Sequence, residues 1–573
     1  MISTFPWRPL LDDAFFRKYS FLELYTFDGG GGFINRALLG SVDSGEITDL
    51  VLRKKVLADF GELPRIDFHK FERWRSIEKS CWINRCYFLP ALAQHSWNTC
   101  DASLATLVKQ VILHFLETCP PPENVADHWK RVERRMEYDY NRKTFEEYSQ
   151  DETDVEYVWY DFQPASRIIN FLHSLYFIKD IADFLPGEFD RIVEGIRLHG
   201  AVLFEQECNN ALKRGNHQSL RQAALLHAAA IEPETDESRK WRELAFSRGF
   251  WHIRTDFFPN GTLAENAPSY HAFETWHGRD ILLMAQRFSC SVDAECRQRM
   301  QLAGEVLQAY RRPDGLTLTV NDAYPLASDA LLESLEMDVS AARRFALLKQ
   351  GGLAVFNGEK FYAALDVSNY TGKFSHYHGG KNALILYCGG EAFIDDPGCC
   401  NYDDPRFRAC KQGGAHSSLL VDDCPDAHSF SVYGFDQYPE LEFGDWDQNE
   451  FSARETSNVP AWKGVVFQRT LECNDKGVVL KDKVTADAEH RYTLLFTLAP
   501  GIKVDVLDRG RLLLLGRKNK LQMRLSDASC KLTLIPAANY QSDPFKETMQ
   551  LQFEFGSRAG LESTISFSML SKL

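Results

Sequence analysis

Apolar residues in the first 330 residues recur with the three-to-four-residue period of amphipathic helices. In residues 101–119 this period follows Asp101, a residue type that caps helix N-termini, and precedes Pro120, a stop signal. The same period predicts helices at residues 165–184, 189–208, 219–230, 238–251, 278–288 and 293–310. Their ordinary lengths and short polar connectors favour an α/α barrel or helical solenoid over a coiled coil.

The pattern changes near residue 350, where strand signals replace helical ones. Asn357-Gly358 lies between two runs rich in apolar and aromatic residues, which predicts a β-hairpin. Residues 470–484 and 504–516 show the same strand–turn–strand pattern, and long helical patterns are absent from there to the end. We therefore predict two domains: a helical one over residues 1–330 and an antiparallel β-sandwich over residues 331–573.

Composition limits the partners and the location. The 573 residues are 44% hydrophobic, enough for two large cores, yet no run approaches the roughly 18 apolar residues of a membrane span. The N-terminus lacks a signal-peptide pattern, so we expect a cytoplasmic protein (periplasmic or secreted if a leader was trimmed) with its 14 cysteines reduced. A net charge of −15 argues against nucleic-acid binding and requires a local basic patch for any anionic ligand. A monomer or homodimer is expected.

Two clusters in the helical half could carry chemistry. Asn216-His217 precedes an apolar helix, and Tyr270-His271 opens another helix after a polar loop. Each also has a purely structural interpretation, because Asn216 could cap its helix and Tyr270 and His271 could be packing residues.

A third cluster opens the β half. His376 and His378 are two residues apart, so they share one face of an extended segment. Asp396 closes the next predicted strand and His416 opens another. Two histidines and a carboxylate could bind a divalent metal with an open coordination position, or they could be hydrogen-bonded residues of the sheet surface.

The order of these clusters resembles the heparinase II/III superfamily of polysaccharide lyases. Its motifs are an Asn-His pair, a segment matched here by NGTLAENAPSYH, and a His-x-His pattern followed by Asp-Pro-Gly, a Tyr and a His. The resemblance spans about residues 160–425. Many relatives have Asp two residues after the second His, where this chain continues with Gly379-Gly380-Lys381.

The resemblance implies an N-terminal (α/α) toroid, a C-terminal antiparallel β-sandwich and cleavage of uronic-acid-containing glycans by β-elimination. It implies a catalytic set of Asn216, His217, Tyr270 and His376. It suggests an anionic oligo- or polysaccharide bound by Gln163, Arg167 and Tyr402. Arg406 and Arg408, with Lys411, form the densest basic run near the site and could bind a carboxylate or sulfate, or they could be solvated surface charges. It also implies one divalent metal ion, zinc or manganese first and calcium next, held by His378, Asp396 and His416 in a chiefly structural role.

Such a lyase removes the C5 proton of a uronate and expels the C4 oxygen, while charge builds on the C5 carboxylate. Amide donors of Asn216, aided by His217 or Arg167, could neutralise this carboxylate. Tyr270 could serve as base and then as acid when both groups leave from one face of the sugar. For the C5 epimer, His376 or His217 would supply the second base.

Hyaluronan, chondroitin sulfate and heparan sulfate are the first candidate substrates, and alginate or another bacterial polyuronate is the alternative. A glycoside hydrolase would instead need two facing carboxylates, for which Glu265, Asp322 and Asp396 are available. A carbohydrate-binding homologue that has lost activity is a further alternative.

Overall fold

The chain forms two compact units. Unit 1 comprises Met1–Gly261, Ala272–Gly304 and Asp329–Met337, and unit 2 comprises Thr262–His271, Glu305–Ser328 and Asp338–Leu573. The predicted boundary at residues 330 and 331 stays a prediction, and two short segments from the helical half belong to unit 2. The computed structural model describes residues 10–12, 15–16, 23–25, 36–38, 44–53, 55, 57–69, 83–141, 157–338, 343–369, 376–400, 406–430, 434–541 and 545–570.

Helices dominate the chain up to residue 334, as the periodicity predicts. They are α1 (Ser44–Leu52), α2 (Leu89–Thr99), α3 (Ala102–Thr118), α4 (Val125–Asn141), α5 (Gln163–Ile178), α6 (Glu188–Asn209), α7 (Asn216–Ala229), α8 (Asp236–Thr255), α9 (Pro268–Arg287), α10 (Ala294–Tyr310) and α11 (Asp329–Ser334). Two small hairpins, β1 (Glu23–Tyr25) with β2 (Arg36–Leu38) and β3 (Gly61–Glu62) with β4 (Arg65–Ile66), and a 3₁₀ turn at Ala58–Phe60 precede α2.

The observed helix starts can be compared with those predicted from the sequence. Asp101 caps α3 as predicted, because its carboxylate accepts the backbone N–H groups of Ser103 and Leu104 at 3.0 Å. The helix predicted to open at Tyr270-His271 begins two residues earlier, at Pro268, and the helical stretch predicted from residue 278 is the second half of the same helix. Gly278 is an interior residue whose missing side chain leaves room for the sulfur of Met300, which a Cβ there would meet at 2.5 Å.

Helix α5 is buried along its whole length and packs against α2, α6 and α7. Its polar residues are therefore enclosed with its apolar ones. Arg167 is fully buried, with its guanidinium over the rings of Phe115 and Trp159 at 4.5 and 4.9 Å. This guanidinium donates to Nε2 of His199 and to the carbonyl of Asn84, both at 2.9 Å. The arrangement gives Arg167 a structural role in unit 1.

Buried histidines make the stability of unit 1 depend on pH. Burial lowers the pKa of His173, His199 and His227 below the ordinary value of 6.5. Below pH 6.5 the unfolded chain therefore binds protons that the folded chain does not, and stability falls by up to about 1.4 kcal/mol per histidine for each pH unit.

We therefore expect hydrogen exchange in the helices of unit 1 to speed up as the pH is lowered from about 7.5 to 5.5, after correction for intrinsic exchange. His173→Phe is the matched variant, because this ring packs against Phe15 and Phe16 at 5.8 and 5.0 Å. The variant should weaken the pH dependence. An unchanged dependence would contradict the assignment to His173.

Unit 2 contains two antiparallel sheets. The first has the order β5 (Phe345–Leu348), β6 (Leu353–Asn357), β7 (Phe361–Asp366), β8 (Ala383–Cys388) and β9 (Glu391–Ile394). The second runs β13 (Pro439–Phe443), β14 (Glu450–Ser457), β15 (Val465–Asn474), β16 (Gly477–Thr497), β21 (Lys546–Leu570), β19 (Lys520–Leu525), β18 (Arg511–Leu515) and β17 (Lys503–Asp508), with β10 (Leu419–Val421) on β16 and β20 (Lys531–Asn539) on β21. A hairpin of β11 (His428–Ser429) and β12 (Phe435–Gln437), a helix α12 (Phe407–Lys411) and 3₁₀ turns at Gly413–Ala415 and Pro460–Trp462 complete the described elements.

The two sheets share one core, as the sandwich prediction requires. Phe356 and Phe361 of the first sheet belong to the same buried cluster as Phe467, Phe496 and Phe553 of the second. Alternate residues of the first sheet point the other way and pack in a second cluster with the end of α10. A helical region followed by an antiparallel β-sandwich is therefore confirmed, and the three hairpins predicted from turn signals are all present.

The cysteines within the described residues are all free thiols. In the same part of the chain, no helix combines the length and apolar character that crossing a membrane would need.

Candidate active site

The centre of the candidate site is a stacked pair of rings in unit 2. Tyr270 lies in the first turn of α9, and His376 lies in the extended segment that leads to β8. Their ring centroids are 3.9 Å apart with an interplanar angle of 17°. Tyr270 is 6% exposed and the side chain of His376 is 12% exposed. Two side chains that can transfer protons are therefore in contact, with Tyr270 buried and His376 slightly exposed.

Asp322 connects the two histidines of the third cluster. Its Oδ2 lies 3.1 Å from Nδ1 of His376, and its Oδ1 lies 2.7 Å from Nε2 of His378. The backbone N–H of Asp322 also donates to the carbonyl of His376 at 3.0 Å. One carboxylate thus reaches both rings, which confirms that His376 and His378 share one face of their segment.

Asn321 fixes the neighbouring backbone. Its side-chain oxygen accepts the N–H of His378 at 3.0 Å, and its amide donates to the carbonyl of Asn266 at 2.8 Å. It adopts a left-handed conformation with φ of 61°, which asparagine tolerates better than most residues. The Asn321-Asp322 pair therefore orients the histidine segment.

The surroundings of Asp322 and His376 favour the ionised carboxylate and the protonated imidazole. Burial alone would raise the pKa of Asp322, but the charge of Lys411 and hydrogen bonds from His376 and His378 hold it well below its usual range. Burial would lower the pKa of His376, but hydrogen bonds with Asp322 and Glu265 raise it above its ordinary value. Glu265 Oε2 lies 3.3 Å from His376 Nε2. Both ring nitrogens of His376 thus face carboxylates, which stabilise the imidazolium.

The predicted metal ligands form hydrogen-bonded pairs. His416 Nδ1 lies 3.0 Å from Oδ2 of Asp396, and its Nε2 lies 3.0 Å from the carbonyl oxygen of Cys410. His378 Nε2 contacts Asp322, while its Nδ1 is buried without a hydrogen-bond partner. The described residues contain no group of three His, Cys, Asp or Glu side chains arranged to hold a metal ion. His378, Asp396 and His416 do not form a coordination shell in this arrangement. The unpaired Nδ1 of His378 is the one ring nitrogen of this set that is free to bind a metal ion.

Gly380 stands two residues after His378, where the resembling family often has Asp, and the local backbone requires a glycine there. Its φ is +73°, and a Cβ at this position would meet Cβ of His416 at 2.7 Å. Its N–H and that of Lys381 donate to the carboxylate of Asp426 at 2.7 and 2.8 Å. A glycine is required because the backbone passes close to His416 in a left-handed conformation.

A second polar cluster lies in unit 1. Asp161 Oδ2 lies 2.5 Å from Nδ1 of His217, whose side chain is 52% exposed. The other carboxylate oxygen accepts from Arg221, which also pairs with Glu207 at 2.6 Å. Burial alone would raise the pKa of Asp161, but His217 and Arg221 lower it to about 2. Asp161 therefore stays ionised and orients the imidazole of His217.

Sequence reasoning missed Asp161, because it is 56 residues before His217 and no local pattern links them. Its one local signal is its left-handed backbone, with φ of 57°, which only the structure reveals. Asn216 is the first residue of α7, whose N-cap is Gly215, so the N-cap interpretation of Asn216 is wrong.

The predicted substrate-binding residues fall in different environments. Gln163 is buried and accepts from Nε of Arg85 at 3.2 Å, and Arg167 is buried as described above, so the packing does not support substrate contact by either. Arg406 is exposed with its guanidinium 4.4 Å from the ring of Phe545, and Arg408 is half-buried. Tyr402 lies outside the described residues.

Comparison with known families defines this chain as a polysaccharide lyase. The chain matches the families described as Heparinase II/III N-terminus, over residues 57–342, and Heparinase II/III-like, C-terminal, over residues 340–560. The chain belongs to the heparinase II/III family of carbon–oxygen lyases acting on polysaccharides. A comparison with individually curated protein sequences gave no significant match.

Solved structures with the same fold include enzymes of this group. A heparinase III gene product is 12% identical with a TM-score of 0.64, over 92% of this chain and 84% of its own. A structure described as heparinase III is 14% identical with a TM-score of 0.65, over 85% and 77%. A mutant of the heparan sulfate lyase HepC from Pedobacter heparinus is 16% identical with a TM-score of 0.60, over 92% and 84%. At these identities the similarity shows the fold.

Proposed function

We propose that the chain cleaves glycosaminoglycans at uronic acid residues by β-elimination, giving 4,5-unsaturated uronates. The observation that carries the proposal is the Tyr270–His376 stack, with His376 held between two carboxylates. A hydrolase would need two carboxylates on either side of a scissile bond, whereas Glu265 and Asp322 are both engaged with His376. Heparan sulfate, hyaluronan and chondroitin sulfate are the candidate substrates.

In this proposal Tyr270 exchanges the protons of the reaction. Its phenolate removes the C5 proton, and the resulting phenol returns a proton to the departing C4 oxygen. The imidazolium of His376, stacked on the same ring, favours the phenolate by its charge. Asp322 and Glu265 are positioning residues that keep His376 charged and oriented.

The residues of unit 1 have a separate proposed role. The resemblance implies that Asn216, aided by His217, binds a uronate carboxylate, and we propose that these donors bind a carboxylate of the substrate without a charge penalty. Because Asp161 occupies Nδ1 of His217, the other ring nitrogen would be the one that meets substrate. Asp161 is then a positioning residue for His217.

The proposal is tested by incubating the full chain with heparan sulfate, hyaluronan, chondroitin sulfate and alginate, and recording the ultraviolet absorbance of unsaturated uronate. Absorbance should rise with at least one glycosaminoglycan. A rise with alginate alone would show that the substrate is a polyuronate and not a glycosaminoglycan. Reducing ends without unsaturated product would indicate hydrolysis and contradict the proposal.

The metal stays a prediction, and we propose that the buried Nδ1 of His378 is where it would attach, together with Asp396 and His416. We expect elemental analysis of protein purified without chelator to find about one zinc or manganese ion per chain, and chelation to lower the melting temperature. His378→Ala should lose the ion, whereas His376→Ala should keep it and lose activity. Protein without stoichiometric metal would contradict the prediction.

A further inference from the structure

A cavity of about 440 Å³ lies in unit 2, formed by residues none of which belongs to the candidate active site. It is bordered by the segment after α10, the β8–β9 turn, the β18–β19 turn and the ends of β20 and β21. Arg312 and Tyr387 are buried residues of its lining, and Arg517, Lys518 and Lys546 are exposed ones. The volume is sufficient for one or two sugar rings.

The acidic groups of this cavity already have partners within the protein. Asp314 accepts from Nε and Nη2 of Arg312 at 3.1 and 3.0 Å. Glu391 accepts the backbone N–H groups of Arg517, Lys518 and Asn519 at 2.5, 3.2 and 3.2 Å. These carboxylates are therefore committed to holding the walls.

Asp395 is committed in the same way. It accepts from the amide of Gln541 at 2.9 Å, and Gln541 also accepts from Nη1 of Arg312 at 2.9 Å. Asp395 and Asp396 are consecutive in an extended segment, so their side chains point to opposite sides. Asp395 lines the cavity, whereas Asp396 contacts His416.

The basic side chains at the exposed wall of the cavity have no partners among the described residues. Within that part of the chain, the side chains of Arg517, Lys518 and Lys546 form no ion pair or hydrogen bond with the protein, whereas the backbone N–H groups of Arg517 and Lys518 donate to Glu391. Three cations around one concave surface attract anions even though the whole chain carries a net charge of −15. A guanidinium can hold a carboxylate or sulfate with two parallel hydrogen bonds, and an ammonium adds a point charge.

We propose that this cavity is a second, non-catalytic binding site for an acidic sugar residue, a pyranose carrying a carboxylate or a sulfate. The proposal rests on the proposed function, since a polyanionic substrate supplies such residues in series. By holding a distant part of the chain, the site would raise the local concentration of substrate at the candidate active site.

The test compares the triple variant Arg517→Ala/Lys518→Ala/Lys546→Ala with the control Arg454→Ala/Lys463→Ala/Arg509→Ala, which removes equal charge from exposed positions of the same unit. Both sets are made in full-length Tyr270→Phe protein, so that binding is measured without turnover. Calorimetry uses heparan sulfate and hyaluronan tetrasaccharides and inorganic sulfate as separate ligands.

Because Tyr270→Phe leaves the active site able to bind, two binding events are expected with tetrasaccharide. In the triple variant one of them should weaken about tenfold with at least one tetrasaccharide, and in the control it should not. The difference should shrink at high salt, because exposed charges are screened. Equal loss with both tetrasaccharides identifies the carboxylate as the recognised group, and loss with heparan sulfate alone identifies the sulfate. Unchanged binding of both sugars overturns the site, as does weakened binding of inorganic sulfate alone.

With the natural Tyr270 restored, the triple variant should raise the KM for polymer and leave kcat unchanged. The two proposals can fail separately. Absence of unsaturated product with every polymer, together with weakened tetrasaccharide binding, would refute the lyase and keep the site. Normal lyase activity with unchanged binding would refute the site and keep the lyase.

Discussion

Tyr270→Phe should reduce turnover on the preferred polysaccharide by roughly 10²–10⁴-fold, the range for a lost general acid or base. The substitution removes one hydroxyl and keeps the ring, so the 3.9 Å stack with His376 should persist and the fold should be unaffected. KM should change little, because the hydroxyl matters mainly as the proton moves. The measurement is steady-state formation of unsaturated uronate.

The matched control is Tyr362→Phe. Tyr362 is 1% exposed in the core of the first sheet, and its hydroxyl is buried without a hydrogen-bond partner. The same chemical change there should leave both activity and stability close to those of the parent protein. If Tyr270→Phe keeps more than about a tenth of the parent turnover, a residue other than Tyr270 transfers the protons.

Much of the fold could be predicted from local patterns. The helical period and turn signals such as Asn357-Gly358 report which face of an element is buried and where the chain reverses. The length of α9 could not be predicted, because Gly278 is a weak helix former whose place inside the helix depends on its packing against Met300 in a neighbouring helix. Local signals carry no information about such packing.

In the candidate site, too, local spacing could be predicted and distant partners could not. Spacing placed His376 and His378 on one face, and the structure agrees because both reach Asp322. The partner itself could not be predicted, since Asp322 is 54 residues earlier in the chain. Arg167 illustrates the opposite case, because the family resemblance suggested it as a substrate-binding residue, whereas its guanidinium is buried over the rings of Phe115 and Trp159.

Asp322→Asn should reduce turnover strongly, although the substitution barely changes the size of the side chain. The carboxylate accepts from His376 and His378 through separate oxygens, and an amide can accept through only one of them. The remaining NH₂ group would face a ring nitrogen that now presents a hydrogen, so one histidine must turn or lose its proton. Since the negative charge also helps keep His376 protonated, its loss should lower the pKa of His376.

We therefore expect turnover to fall by up to about 10⁴-fold, as when the carboxylate that orients a catalytic histidine is removed. Loss of a buried charge partner can also destabilise the fold by about 3–5 kcal/mol, so reduced activity alone would not separate the two effects. Asp482→Asn provides that separation. Asp482 is buried in the same unit and is held by Arg469 at 2.7 and 2.8 Å.

Both variants should unfold at lower denaturant concentrations, but only Asp322→Asn should lose turnover per folded molecule. Activity is measured at a temperature where circular dichroism shows both variants to be folded. Nuclear magnetic resonance of histidine-labelled protein should show the His376 titration at lower pH in Asp322→Asn and unchanged in Asp482→Asn. If Asp322→Asn keeps parental turnover while the titration shifts, the charge of His376 is not needed for the reaction, and the proposed pairing of imidazolium with Tyr270 is wrong.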